Sequence, residues 1–242
     1  MTGSLNGDSR RWSNGQIMSN SLRSTEHGAR HARRTRRKAA WILLLCGVAA
    51  SGPVHALCGG PLDANNFRRP LDINDPADQG KINIVVKHHF TPEVAALIRG
   101  STAELPGDIH YTLRHIPNHY GALESMARFQ IKKPGESDRY FTVDCYFERA
   151  FAFRPKDAQL YMLYGTYLHR AKRYDQAHAL YVQAEEMGLE SPELFYNRGL
   201  LEFQRDNLDE AANYAAKAYA GGYPLPALRD KLAEAGVQIP ES

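Results

Sequence analysis

The sequence predicts an all-α fold, in which antiparallel helical hairpins stack into a solenoid behind an irregular N-terminal arm. Three observations support this fold class. A pattern of aromatic and small residues within 158–223 recurs at a fixed interval along the chain. Residue types that favour helix starts precede several apolar segments. Only one short segment is typical of a β-strand.

Residues 1–56 differ in charge from the rest of the chain. They hold nine of the 30 Lys and Arg residues and two of the 27 Asp and Glu residues, which leaves 21 basic and 25 acidic residues in 57–242. The folded part is therefore expected to carry a net charge of 21 − 25, or −4. A basic patch for nucleic acid is not predicted on it, because the excess of Lys and Arg lies in the N-terminal segment.

Residues 1–56 are interpreted as an unstructured extension and a signal peptide. A basic run at 30–38 meets an apolar stretch, Ala39–Ala50, which is shorter than a segment that spans a bilayer. Small residues flank His55, which predicts cleavage between Ala56 and Leu57. The mature chain is then exported, either to the periplasm or out of the cell, without stable membrane insertion.

Two alternatives to this processing stay open. The apolar stretch, extended to residue 57, is a candidate signal anchor in the inner membrane, although Gly52 and Pro53 disfavour it. Translation can begin at Met1 or at Met18. Neither starting point changes the predicted fold.

Cysteine usage agrees with export. Cys46 lies inside the signal, so the mature chain keeps Cys58 and Cys145. Two cysteines in an oxidising compartment usually pair, and a Cys58–Cys145 disulfide is predicted. No Cys-x-x-Cys spacing of the kind that binds metal is present in the sequence.

Residues 57–90 are interpreted as an extended arm, because Gly, Pro, Asn and Asp recur there without sustained periodicity. Ile82–Val86 is its one strand-like segment. Thr91 then begins a predicted helix that ends at Gly100. A second helix is predicted to start with Asp108 as its cap and to run to about His115.

The repeat itself combines aromatic, glycine and alanine positions. Five positions of the first unit, beginning at residue 161, were compared with the positions 34 residues later, beginning at 195 (195 − 161). The residue class is the same at four of the five. The paired positions are Tyr161 and Phe195, Gly165 and Gly199, Ala177 and Ala211, Tyr181 and Ala215, and Ala184 and Ala218. Small residues at this spacing allow two helices of a hairpin to approach closely, while a bulky aromatic fills the space beside them.

Residues 158–223 therefore resemble two tandem tetratricopeptide repeats. The resemblance implies a right-handed solenoid over residues 91–236, with a more degenerate unit before the two repeats and an insertion of four residues at 132–138. It also implies a C-terminal capping helix over Leu225–Ala235, followed by a tail at 237–242.

Histidine is the residue type that most favours chemistry in this chain. The candidate ligands are His88, His89, His110, His115 and His119. Pro117 separates His115 from His119, so the two do not share a helix face, and the sequence contains no phosphate-binding loop, zinc-protease helix or nucleophile elbow. We expect no enzymatic activity, no cofactor and no metal. A histidine-based metal- or ligand-binding protein is the alternative function.

The resemblance implies a concave groove formed by first-helix residues that do not pack on the second helix. Its predicted lining is Glu124, Arg128, Met162, Thr166, His169, Arg170, Tyr196, Asn197, Leu200 and Phe203. Aromatic, amide and guanidinium groups of this kind suit the binding of a peptide or helix from another protein. The expected function is a non-enzymatic interaction scaffold or assembly factor, and a groove filled by the chain's own arm or tail is the competing interpretation.

Overall fold

Residues 58–62, 69–136 and 138–240 are described by the structure, a computed structural model. The helices in this part are α1 (Gln79–His89), α2 (Pro92–Ala95), α3 (Leu105–His115), α4 (Tyr120–Lys132), α5 (Val143–Phe153), α6 (Ala158–Arg170), α7 (Tyr174–Glu186), α8 (Pro192–Gln204), α9 (Leu208–Ala220) and α10 (Ala227–Glu234). No strand occurs in the described residues. The all-α prediction is confirmed, and the predicted signal peptide lies outside this part.

The helices pack as adjacent pairs, most extensively α6 with α7 and α8 with α9. The starts of α6 and α8 differ by 34 in residue number (192 − 158), and so do the starts of α7 and α9 (208 − 174). Each of these four helices has 13 residues. The period read from the sequence is therefore the period of the hairpins.

Glycine allows the closest approach inside the first of these hairpins. A Cβ atom added to Gly165 of α6 would lie 2.7 Å from the ring of Tyr181 in α7, and Tyr181 is fully buried. Ala177 and Ala184 are also fully buried in the same cluster. These small residues act as the sequence predicts, because any larger side chain would push the two helices apart.

The degenerate unit before the repeats is formed by α4 and α5. The start of α4 precedes that of α6 by 38 in residue number (158 − 120), four more than the repeat period. The link from α4 to α5 covers residues 133–142, whereas three residues, 171–173, join α6 to α7. The extra residues lie in this link, which contains most of the predicted place at 132–138 and is seven residues longer than its counterpart; the net offset is four because α5 and the link after it are shorter than α7 and the link after it.

Two predicted helix boundaries are wrong. The helix that Thr91 caps ends at Ala95 instead of Gly100, because Leu97 adopts a left-handed conformation with φ of 59°. Asp108 does not cap a helix start, since α3 already begins at Leu105. Its carboxylate instead accepts hydrogen bonds from the backbone of the loop 101–103.

The strand predicted at Ile82–Val86 is also wrong, and the arm is not extended over Gln79–His89. Ile82 and Val85 lie three residues apart on one face of α1 and are buried, while Ile84 is 57% exposed. The buried face packs on Leu71 and Ile116. Tertiary burial of this face overrides the β-branched composition that favours a strand.

The rest of the arm is fastened to the helices by specific links. The predicted disulfide is confirmed, since Cys58 and Cys145 are bonded with their Cα atoms 5.5 Å apart. The Arg149 guanidinium donates hydrogen bonds to the backbone carbonyls of Cys58 and Gly60 at 2.9 and 2.8 Å. Further along, the Leu71 amide donates to the carbonyl of His115 at 2.8 Å.

Helix α10 closes the other end of the array, close to the predicted range. Leu228 and Leu232 are fully buried against α8 and α9, and most of the helix's other residues are exposed. None of the described helices is long and apolar enough to cross a membrane.

Candidate protein-interaction groove

A concave groove of about 480 Å³ runs across α4, α6 and α8 and ends against α10 and the segment that leads into it. Its lining is Glu124, Ala127, Arg128, Ile131, Leu163, Thr166, Tyr167, His169, Arg170, Lys172, Tyr174, Glu193, Tyr196, Asn197, Leu200, Gln204, Tyr223, Leu225, Ala227 and Lys231. The volume falls within the range of about 300–1,000 Å³ that binding clefts occupy. The first helices of three successive hairpins therefore share one open surface.

Eight of the ten residues predicted to line the groove do so: Glu124, Arg128, Thr166, His169, Arg170, Tyr196, Asn197 and Leu200. Met162 does not, because its side chain is fully buried among residues of α7 and α8. Phe203 does not either. It is partly buried against α9 and α10, with the ammonium of Lys231 at 5.8 Å from its ring centre.

Tyr196 occupies a different environment from the one predicted. The sequence interpretation placed its ring on an exposed face, but the residue is only 4% exposed. Its ring centre lies 4.3 Å from that of Tyr223 and 6.5 Å from that of Tyr219. Tyr196 is thus mainly a packing residue whose edge borders the groove.

The sequence interpretation missed the C-terminal wall. Ala227 and Lys231 of α10 line the groove, and each follows another lining residue by one repeat period, Glu193 (227 − 193) and Asn197 (231 − 197). Adding one further period of 34 residues to Glu193 and Asn197 identifies Ala227 and Lys231 as lining residues. This periodic relation is easily overlooked because α10, with 8 residues, is short and was interpreted as a capping helix.

The ionic groups of the groove are unevenly paired. Arg128 lies 3.5 Å from Glu124 and also donates to the carbonyl of Ala95 at 2.7 Å. Arg170 and Lys172 have no ion pair with a carboxylate in the described part of the chain. Partial desolvation, together with the negative charge of Glu124, raises the pKa of Glu193, while Arg170 opposes the shift.

His169 contributes an imidazole to the groove. Desolvation lowers its pKa, although a hydrogen bond to Gln204 opposes the shift. The distance between Nε2 of His169 and Oε1 of Gln204 is 3.2 Å, and the ring packs edge-on against Tyr174. The groove thus offers amide, imidazole and phenol groups for hydrogen bonding beside aliphatic lining residues such as Leu163 and Leu200.

The described residues of the N-terminal arm do not line the groove. Residues 58–62 are fastened near α5 through the disulfide, and residues 69–89 pack near α3. The described end of the tail, through Val237 and Ile239, packs with α9 and α10.

Four of the candidate histidine ligands are engaged in local contacts instead of meeting at one point. His89 lies 2.9 Å from Asp108, and His110 lies 2.7 Å from the hydroxyl of Tyr146. His115 contacts the carbonyl of Tyr111 at 2.9 Å. His119 caps α4 by accepting a hydrogen bond from the amide of Ala122 at 3.2 Å. Within the described residues, no group of three His, Cys, Asp or Glu residues has the arrangement of a metal site.

Comparison with known proteins identified no relative. No family model, no curated protein and no solved structure matches the chain.

Proposed function

We propose that this chain is an exported, non-enzymatic scaffold or assembly factor of the tetratricopeptide-repeat type, which binds a peptide or helix of another protein in its concave groove. The observation that carries the proposal is the groove itself. It spans the first helices of three hairpins, it is open, and the described residues of the chain's own arm lie elsewhere. Concave surfaces of stacked hairpins serve as binding surfaces for proteins.

The family assignment is supported by the geometry of the two regular hairpins. The equal offset of both pairs of helix starts and the buried small residues of the first hairpin, Ala177 and Ala184, agree with a tetratricopeptide array. Right-handed stacking is part of this proposal and follows from the family resemblance.

Export is supported by the Cys58–Cys145 disulfide, because such bonds persist in oxidising compartments. Both tryptophans, Trp12 and Trp41, precede the proposed cleavage site. Protein recovered from outside the cytoplasm is therefore expected to begin at Leu57 and to lack tryptophan fluorescence. N-terminal sequencing checks this, and recovered protein that retains its original N-terminus contradicts it.

Site-specific photo-crosslinking tests the groove directly. A photoreactive amino acid replaces Asn197, which lies in the groove, or Asn213, which is exposed on α9 outside it. The two positions share a residue type and a helical setting. Live cells are irradiated and crosslinked proteins are recovered through the bait.

A partner crosslinked from position 197 and not from position 213 supports the proposal. Asn197→Trp, which fills the groove, should remove that crosslink when the photoreactive group stands at another lining position, Thr166. Asn213→Trp should leave it. If both tryptophan variants crosslink the same partner equally, the groove is not the binding surface.

A further inference from the structure

We infer that the occupant of the groove is an acidic peptide segment with aliphatic or aromatic anchor residues, supplied by another protein. This inference rests on the proposed function and defines its partner class. Its basis is that the groove is positively charged while the rest of the folded chain is negatively charged. The groove is also lined by apolar side chains, which a small anion would leave exposed.

The groove carries four cationic side chains and two carboxylates. The cations are Arg128, Arg170, Lys172 and Lys231, and the carboxylates are Glu124 and Glu193, so its formal charge is 4 − 2, or +2. Residues 57–242 as a whole carry 21 − 25, or −4. The residues of 57–242 that lie outside the groove therefore carry a formal charge of −4 − 2, or −6. A concave positive surface on a negative protein favours negative ligands and speeds their association.

Three of the four cations remain available to a ligand. Arg128 is held by Glu124 and by the carbonyl of Ala95. Arg170, Lys172 and Lys231 have no ion pair with any carboxylate among the described residues, and all three are exposed. They come from α6, the turn after it and α10, so they approach the groove from two sides.

Apolar side chains lie between these charges. Leu163 and Leu200 are partly buried lining residues, while Ile131 and Leu225 are large aliphatic residues that stay 40% and 51% exposed. Exposed aliphatic groups beside an open cleft favour a ligand that buries apolar surface. A peptide that combines carboxylates with apolar anchors satisfies both requirements.

Other occupants fit less well. The chain's own residues 1–56 carry nine basic and two acidic residues, so their charge has the same sign as the groove. A nucleic acid would bring its phosphates close to Glu124 and Glu193, and the groove offers too few cations for a phosphate backbone. A second copy of this chain also carries a net negative charge over residues 57–242, and sedimentation distinguishes it from a peptide.

Peptide selection tests the inference without a known partner. A random dodecapeptide library displayed on phage is selected on the full chain, on a chain with Arg170→Glu and Lys231→Glu, and on a matched control with Lys87→Glu and Lys156→Glu. The control changes charge equally at exposed lysines outside the groove. Selection on Asn197→Trp subtracts peptides that bind elsewhere, including any that bind the basic N-terminal residues.

The groove-specific pool should be enriched in Asp and Glu beside Leu or aromatic residues. The pool from the double charge reversal should lose that acidic preference, whereas the control pool should keep it. Fluorescence anisotropy on the leading acidic peptide should show binding that is about tenfold weaker for the charge reversal, with a smaller difference at high salt.

Each contrary outcome has a separate meaning. A groove-specific pool that is neutral or basic overturns the acidic class and leaves the proposed function standing. No enrichment over Asn197→Trp removes the proposed function as well. Tighter groove binding of a labelled oligothymidylate than of the acidic peptide, or self-association in sedimentation that Arg170→Glu abolishes, replaces the peptide with nucleic acid or with a second copy.

Discussion

The two hairpins α6–α9 and the part of the chain before them are stabilised in different ways. In α6–α9 the contacts between helices are made mainly by small and aromatic residues at a fixed period, such as Gly165 against Tyr181. Before residue 154 the described chain also has an apolar cluster, which includes Leu123 and Phe147, and adds to it a disulfide and single buried carboxylates such as Asp108.

The repeats also bury a carboxylate, Glu202, which is bonded to His178 and Asn207. The two regions therefore differ mainly in that one repeats its apolar contacts at a fixed period, whereas the other is irregular and adds a disulfide and single polar links to its apolar core.

Asp108 illustrates the irregular region. It is fully buried, and it accepts hydrogen bonds from the amides of Ser101, Thr102 and Ala103 at 2.6–3.1 Å. Desolvation acts to raise the pKa of Asp108, but these bonds and those from Thr102 and His89 lower it below the usual value of 3.8. One side chain thus fixes a loop that has no regular secondary structure of its own.

This difference explains why the structure of α6–α9 could be predicted from the sequence, whereas that of the region before it could not. A contact that recurs in every unit leaves a periodic pattern, while a single buried carboxylate leaves none. The following predictions test whether the two regions respond separately to changes in each kind of contact.

The largest effect is expected from the disulfide. Replacing both Cys58 and Cys145 with Ala removes a cross-link between residues 87 apart and should lower the free energy of unfolding by about 4–5 kcal/mol on the chain-entropy model. Hydrogen exchange should accelerate in α3 and α5 and stay unchanged in α8 and α9. Equal acceleration throughout would mean that the two regions unfold as one unit.

Burial of Tyr196 sets the next effect, in the repetitive region. Tyr196→Ala removes a ring that is 4% exposed and packed on Tyr223, and should cost about 3–4 kcal/mol of stability. Phe203→Ala, at a partly buried ring, should cost about 1–2 kcal/mol. Urea unfolding of both variants measures this difference. A Tyr196→Ala chain as stable as the wild type would show that the ring does not support the packing.

Acid should weaken the irregular region first. Desolvation lowers the pKa of His110 and of His119 from 6.5 to about 4, so each ring is neutral when folded and takes up a proton on unfolding. Stability is full above about pH 7 and is lost as the pH falls from there toward 4, by about 2 kcal/mol at pH 5 for His119 and by less for the more exposed His110.

Thermal unfolding at pH 7 and pH 5 measures this loss. His119→Asn keeps a side chain that can cap α4 and removes one titrating group, so its melting temperature should depend less on pH. A pH dependence identical to that of the wild type would exclude His119 as a source of the effect.

The smallest effect comes from one substitution made in both regions. Gly165→Ala places a Cβ 2.7 Å from the buried Tyr181 ring and should destabilise by about 1–2 kcal/mol, because the clash outweighs the gain in helix propensity. Gly80→Ala in α1 meets no atom within 4 Å and should stabilise by about 0.5 kcal/mol. Melting temperatures that shift in the same direction for both variants would contradict this account.

The sequence was sufficient for features that depend on pattern or on pairing. It identified the four helices α6–α9 through their period, located the insertion between α4 and α5, and paired Cys58 with Cys145 because two cysteines in an oxidising compartment have one possible bond. Eight of the groove residues were predicted as well, but through the resemblance to tetratricopeptide repeats and not through a pattern of their own.

Tertiary structure alone decided which faces of these helices are covered. Ile82–Val86 is helical because Ile82 and Val85 meet Leu71 and Ile116, residues that are distant in sequence. Met162 and Tyr196 are buried because neighbouring elements close over them, whereas Lys231 reaches the groove from a helix outside the two repeats. Periodicity describes one helix and its immediate partner. Burial depends on the contacts from every element that packs nearby, and no local pattern in the sequence predicts all of those contacts.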